Sequence, residues 1–175
     1  MRLADINALD RSGFVAALAD IFEHSPWIAE RAYEARPFAS VDELHRAMLR
    51  VVQSASRDEQ LALIRAHPEL AGRAMVRNEM TPDSTKEQSD AGLTSCSPEE
   101  YRRLVDLNAR YNTKFGFPFI LAVKGYDRGG VIAEFARRVE RDVDTEFAEA
   151  LKQIATITRF RLEGMTSDHS SGKPT

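Results

Sequence analysis

Cysteine is nearly absent from this chain. Among 175 residues only Cys96 carries a thiol, so no internal disulfide can form. A reducing compartment is the simpler setting for such a composition. Long apolar runs are missing too, and none approaches the roughly 20 residues that a membrane span requires. Met1-Arg2-Leu3-Ala4-Asp5 lacks the apolar core of a secretory signal. Gly172-Lys173-Pro174-Thr175 resembles no address signal. A cytoplasmic location is expected by elimination. A basic excess is also missing: 24 Lys and Arg stand against 27 Asp and Glu, a net charge of -3. That excludes a general nucleic-acid surface. No His-x-x-x-His or Cys-x-x-Cys spacing occurs, so no metal site is expected. There is no phosphate-binding glycine loop and no Gly-x-Ser-x-Gly elbow. The glycines at 125, 129 and 130 lack the strand-and-helix context of such a loop and read as a turn.

What the chain does have is apolar residues at helical spacing. They make up 43% of the composition against 29% charged residues, an ordinary balance for a soluble domain. A domain of about 150 residues buries roughly 70% of its unfolded surface and needs no staple. Ser12 can cap a helix carrying Phe14, Ala17, Leu18, Ile21 and Phe22. Ser25-Pro26 opens a second, over residues 27–35, which Arg36-Pro37 stops. Ser40 with Glu43, Ser56 with Glu59, and Ser97 with Glu100 each form a capping-box pattern. The third leads a long helix with Tyr101, Leu104, Val105, Asn108, Tyr111 and Phe115 on one face. A short helix is expected after Pro68. Asp83 or Ser84 is expected to cap another, and Gly92 to end it. The apolar run 116–123 is expected to be extended or irregular. Residues 131–142 are expected to be helical, with Arg137, Arg138, Glu140, Arg141 and Asp142 on a wet face. Asp144 caps a last helix carrying Phe147, Leu151, Ile154, Ile157 and Leu162. Alternating runs of strand length are absent. The expectation is an all-α fold, one globular domain of about eight helices over residues 1–165, followed by a disordered polar tail over 166–175.

Of the four histidines, His24 and His45 lie in or at the ends of helices without evident partners, and His169 lies in the tail. His67 differs. Pro68 biases it away from helical dihedrals and suits the first turn of a following helix. The imidazole therefore sits at a break, aimed by stiff backbone. Glu87 lies in a second polar helical turn, and a His and a Glu in one pocket make an acid/base pair. A helix-junction histidine and a solvated glutamate are the bland alternatives. Arg159 and Arg161 lie near the end of the last helix; either one turned into a pocket would bind a carboxylate through its planar fork.

Five segments carry a resemblance: Ser25-Pro26-Trp27 with Arg36-Pro37-Phe38; His67-Pro68-Glu69-Leu70-Ala71-Gly72; residues 84–93; Phe115-Gly116-Phe117-Pro118-Phe119-Ile120 with Val123; and Ile157-Thr158-Arg159-Phe160-Arg161-Leu162. In combination and order they resemble the 2-oxo-4-hydroxy-4-carboxy-5-ureidoimidazoline (OHCU) decarboxylase family of urate degradation. The resemblance implies an all-helical, cofactor-free carboxy-lyase, commonly a homodimer, that acts on a small molecule and yields (S)-allantoin. It implies His67 as catalytic acid/base with Glu87 beside it. Pro68, Ser84, Thr85, Lys86, Glu87 and Gln88 would line the substrate site, as would Phe119, Ile120, Leu121, Ala122 and Val123. Arg161 is the implied arginine. Met80 stands where leucine is common, and Arg141 where asparagine is common. No fused hydroxyisourate hydrolase domain is seen, so the preceding step is expected from another chain. The alternative is a non-catalytic helical module that binds a purine-derived metabolite or a protein partner.

Overall fold

The computed structural model describes residues 1–72 and 80–167. Among the described residues there are nine α-helices, two 3-10 turns and no strand, so the chain is all-α. The contacts group into two compact units, Ile64–Ile154 and the remainder. No described helix is long and apolar enough to cross a membrane.

The first unit contains α1 (Leu3–Ala8), α2 (Arg11–Leu18), α3 (Pro26–Ala32) with its 3-10 extension Tyr33–Ala35, and α4 (Val41–Ser54). It also holds most of α5 (Arg57–Ala66) and the C-terminal part of α9 (Val143–Ser167). α3 packs on both α2 and α4. Asp10, not Ser12, caps α2: its carboxylate accepts from Gly13 N at 2.8 Å, and the Ser12 hydroxyl itself donates to Asp10. A carboxylate at the cap also favours the positive helix N-terminus, which a hydroxyl cannot match. α2 stops at Leu18, so Ile21 and Phe22 are buried from a turn rather than from the helix. Ser40 accepts from Glu43 N, and the Ser56–Glu59 pair closes reciprocally. α9 continues through Ser167, two residues into the stretch expected to be tail, and the rest of that stretch lies outside the described residues.

His45 is buried on α4, with Nε2 3.0 Å from the Thr158 hydroxyl. Burial lowers its pKa; a bond to the Ala155 backbone and the charge of Glu163 oppose the shift. A buried neutral imidazole takes up its proton more readily once unfolded. His45 should therefore weaken the fold as pH drops below the ordinary value of 6.5, down to its depressed native value. His45→Gln should flatten the melting temperature between pH 7 and 5. An unchanged acid limb would remove His45 as its source.

The second unit holds α6 (Pro82–Asp90), a 3-10 turn (Leu93–Ser95), α7 (Pro98–Phe115), α8 (Arg128–Arg138) and the start of α9. Thr81 caps α6, accepting from Ser84 N at 3.3 Å, because Pro82 takes the first helical position and moves the cap upstream of Asp83. Ser97 and Glu100 form the full capping box of α7, and Gly116 ends it at φ 73°. The buried stripe of α7 is Leu104, Leu107, Asn108, Tyr111 and Phe115. Tyr101 and Val105, expected on that face, are 42% and 46% exposed. They sit four residues apart on the neighbouring face. Asp127 caps α8, accepting from Gly130 N, so the helix starts three residues earlier than expected. Asp142 caps α9 through Thr145 N, not Asp144.

Candidate active site

α5 ends at Ala66, and the next six residues bend rather than continue as helix. His67 N still reaches Ile64 O at 3.2 Å, which finishes the last turn before Pro68 forbids another. The His67 side chain is 6% exposed. The expected helix after Pro68 does not form over 68–72; a tight turn stands there, with Gly72 N donating to Glu69 O at 3.3 Å and Ala71 at φ 50°. Residues 73–79, over which the expected helix would continue, lie outside the described residues. Gly72 is demanded by crowding: a β-carbon there would lie 2.5 Å from the Glu69 β-carbon.

Three amide side chains brace this turn. Gln88 accepts from Ala71 N at 2.9 Å and donates to Glu69 O at 3.2 Å, so one side chain satisfies both polarities of the loop. Asn108 donates to Leu70 O at 2.9 Å. Asn112 donates to the Glu69 carboxylate. Gln88 is buried on α6 directly after half-buried Glu87, so the helix carrying Glu87 is tied to the loop that opens with His67. Within 84–88, Ser84 and Gln88 are buried, Thr85 donates back to Thr81 O, and Lys86 lies outward, paired with Asp90.

The amide of Gln88, a residue expected to line the substrate site, bonds the backbone of 69 and 71. Gln88→Leu leaves the buried Ala71 N–H without its acceptor and takes one of two donors from Glu69 O, which costs about 1–3 kcal/mol. It also frees the loop, and misplacing a reacting group by about 1 Å costs roughly 100-fold in rate. Gln88→Glu keeps the acceptor for Ala71 N and loses the donor to Glu69 O, so it should fall between the two. Steady-state kinetics with melting curves check the series; equal rates in all three proteins would end the bracing role.

The run 119–123 is irregular, as expected, and Phe119, Ile120, Leu121 and Val123 are buried. Its backbone is held from two helices. Gln153 on α9 accepts from Ala122 N at 2.9 Å, and Arg138 on α8 donates to Ile120 O at 2.8 Å. Arg138 is fully buried, not on a wet face as its sign-mixed neighbours suggested. The Glu146 carboxylate compensates its charge, accepting from Arg138 Nη2 at 2.8 Å and from Nε at 3.1 Å. Tyr111 donates to Glu146 at 2.5 Å, and burial together with that bond pushes its phenol pKa up. Arg141 adds a further bond to Glu146 at 3.2 Å. The Arg138 guanidinium lies 4.5 Å over the Phe119 ring, which stacks on Phe135 at 3.9 Å. Asn108 and Arg138 interrupt otherwise apolar helical stripes, the one signal in the sequence that marked them as structurally committed.

Arg161 belongs to the first unit. Its Nη1 donates to Glu23 at 2.8 Å and to Asp20 O at 3.2 Å, and both charged side chains are buried. Arg159 pairs with Asp42 and Glu163. Among the described residues no group of three or more His, Cys, Asp or Glu could hold a metal ion.

The family model described as OHCU decarboxylase matches residues 7–163. A 2-oxo-4-hydroxy-4-carboxy-5-ureidoimidazoline decarboxylase of Haloferax volcanii is 47% identical over 162 residues, covering 93% of this chain and 94% of that protein. The uric acid degradation bifunctional protein PucL of Bacillus subtilis is 42% identical over 164 residues, which span 94% of this chain and 32% of that one. The crystal structure of an (S)-allantoin synthase superposes with a TM-score of 0.77 at 28% identity, over 94% of this chain and 54% of that chain. On the match across 7–163 and the near full-length likeness to the archaeal enzyme, this chain belongs to the OHCU decarboxylase family.

Proposed function

We infer that this chain is a carboxy-lyase that decarboxylates 2-oxo-4-hydroxy-4-carboxy-5-ureidoimidazoline to (S)-allantoin in urate degradation. The observation that carries the reading is the braced turn 67–72. It holds a buried imidazole at a helix break and is tied through Gln88 to the helix of Glu87. In this substrate the carboxylate sits on a carbon that also bears a hydroxyl, beside a carbon–nitrogen double bond. As the bond to the carboxylate breaks, its electron pair forms a double bond to the ureido-bearing carbon, the carbon–nitrogen π pair moves onto nitrogen, and the nitrogen takes a proton. The chemistry itself therefore calls for no cofactor. The enol left behind loses its hydroxyl proton and gains one on the ureido-bearing carbon, with one proton consumed overall. Delivery to one face gives one enantiomer.

His67 is the group we assign to this proton exchange, because imidazole gives and takes protons near neutral pH. Glu87 is assigned to orienting the imidazole or the substrate, and Arg161 to the substrate on the family likeness alone. The apolar run 119–123 would keep water from the reacting carbon. A homodimer and a cytoplasmic location are carried on the same likeness and on the single cysteine.

The alternative, a helical module that binds without reacting, is separated by one experiment. Substrate is generated from urate in situ by the two upstream activities, and circular dichroism is followed. Spontaneous decay yields racemic product with no lasting signal. Added protein should speed substrate loss and build an optical signal. If it does neither, the decarboxylase reading fails.

A further inference from the structure

We propose that Arg138 is a positioning residue for substrate binding, acting through the Ile120 carbonyl, and that Glu146 serves to compensate its buried charge. The proposal rests on the decarboxylase reading for the identity of the ligand. The geometry is specific. One guanidinium divides its donors between two acceptors: Nε and Nη2 take the Glu146 carboxylate, and Nη1 takes Ile120 O at 2.8 Å. The same group covers the face of Phe119 at 4.5 Å. Two successive residues of the run 119–123 are thus set by a side chain on α8. Gln153 sets a third at Ala122 N, from α9.

The run has no helix or sheet ladder to fix its peptide planes, so these side-chain bonds orient them. In a trans peptide the C=O and N–H point in opposite directions, so with Ile120 O and Ala122 N turned to the protein, the N–H and C=O of Leu121 face the other side of the run. Those are the groups available to a ligand rich in amide donors and acceptors, such as an imidazolidine bearing a ureido arm. A fork fits this task and an ammonium does not, because a planar guanidinium serves both acceptors at fixed angles. A buried ion pair is by itself weak evidence for stability, since a neutral pair of similar volume is often as stable. Retaining one here is accounted for by the third bond, the one to Ile120 O.

The test separates positioning from stability by their opposite orderings. In Glu146→Gln the cation stays buried without its counter-charge while its bond to Ile120 O survives. Stability should fall most, with KM and the inhibition constant of (S)-allantoin changed less than threefold. In the double variant Arg138→Met with Glu146→Gln, the fully buried charge is gone, only the part-exposed Arg141 loses its carboxylate, and Ile120 O loses its donor. Stability should recover toward wild type while KM and the product inhibition constant rise roughly tenfold. Arg138→Lys keeps the charge beside Glu146 but offers its donors from one nitrogen, too compact a head to reach Ile120 O at the same time; it should melt near wild type and weaken both constants at least threefold. Measurements are made well below the lowest melting temperature. If binding loss tracks the melting temperature across the set, or if the double variant binds like wild type, Arg138 is only structural and the proposal is overturned. If the double variant does not fold, wild-type constants in Arg138→Lys overturn it equally. Failure of the underlying reading shows separately, as wild-type protein without decarboxylase activity in the chiral assay.

Discussion

His67→Ala should be almost inactive while remaining folded. Removing a general acid/base group costs roughly 100- to 10,000-fold in rate. The stability cost is modest but not zero. The imidazole is 6% exposed, so its truncation leaves a hole, and a loss of about 1–2 kcal/mol is in line with such changes. His67→Gln fills the same space with an amide that cannot exchange a proton at neutral pH. It should recover much of the stability and none of the rate. The measurement is the build-up of optical signal from substrate generated in situ, with melting curves alongside. A folded His67→Ala protein that keeps more than about a tenth of the wild-type rate would falsify the acid/base assignment.

The largest expected loss of stability is at Glu146. Both Glu146 and Arg138 are buried, with side chains at 0% exposure. Glu146 also receives the Tyr111 hydroxyl and Arg141. Breaking a buried pair by removing one partner costs about 3–5 kcal/mol, because the remaining charge has been taken out of water. Domains are typically stable by only about 5–15 kcal/mol, so Glu146→Gln should bring this one near its limit. Arg141 should not soften the effect, since it is left as a second cation facing a neutral amide. Urea unfolding of Glu146→Gln and of Glu146→Gln with Arg141→Asn reads this directly. The second substitution should restore part of the loss. A Glu146→Gln protein within 1 kcal/mol of wild type would show that Arg138 finds solvent or another counter-charge.

What was legible in the chain depended on range. The cap pairs Ser56–Glu59 and Ser97–Glu100 close within three residues, and both form as their spacing implies. Asp10 rather than Ser12 and Thr81 rather than Asp83 cap because each helix starts two residues earlier, with Pro82 setting the start in the second case, and several polar residues near a start are not ranked by spacing alone. Arg138 was misplaced for a different reason. Its burial is decided by Glu146 eight residues on and Ile120 eighteen residues back, and a local charge pattern carries neither contact. The candidate site divides in the same way. His67 and the polar turn around Glu87 stood out by composition and by the proline. The braces from Gln88, Asn108 and Asn112 span 17 to 43 residues and left no local trace beyond a polar residue on an apolar stripe.

The turn after Pro68 also sets which mutations this chain can sample. Glycine is usually kept for its freedom at positive φ, but here the residue in the left-handed region is Ala71, and the glycine follows it. Ala71→Gly is open to drift, since glycine reaches that conformation without penalty. Position 72 is closed by an unrelated cause, the Glu69 β-carbon 2.5 Å away from where its own would stand. Every residue except glycine has a β-carbon, so neither a smaller nor a more polar side chain at 69 relieves the clash. The two sites are therefore epistatic: Gly72 can be replaced at unchanged backbone only after position 69 has itself become glycine. That change would delete the carboxylate to which Asn112 is bonded. A path of substitutions through this turn must cross a loss before any gain.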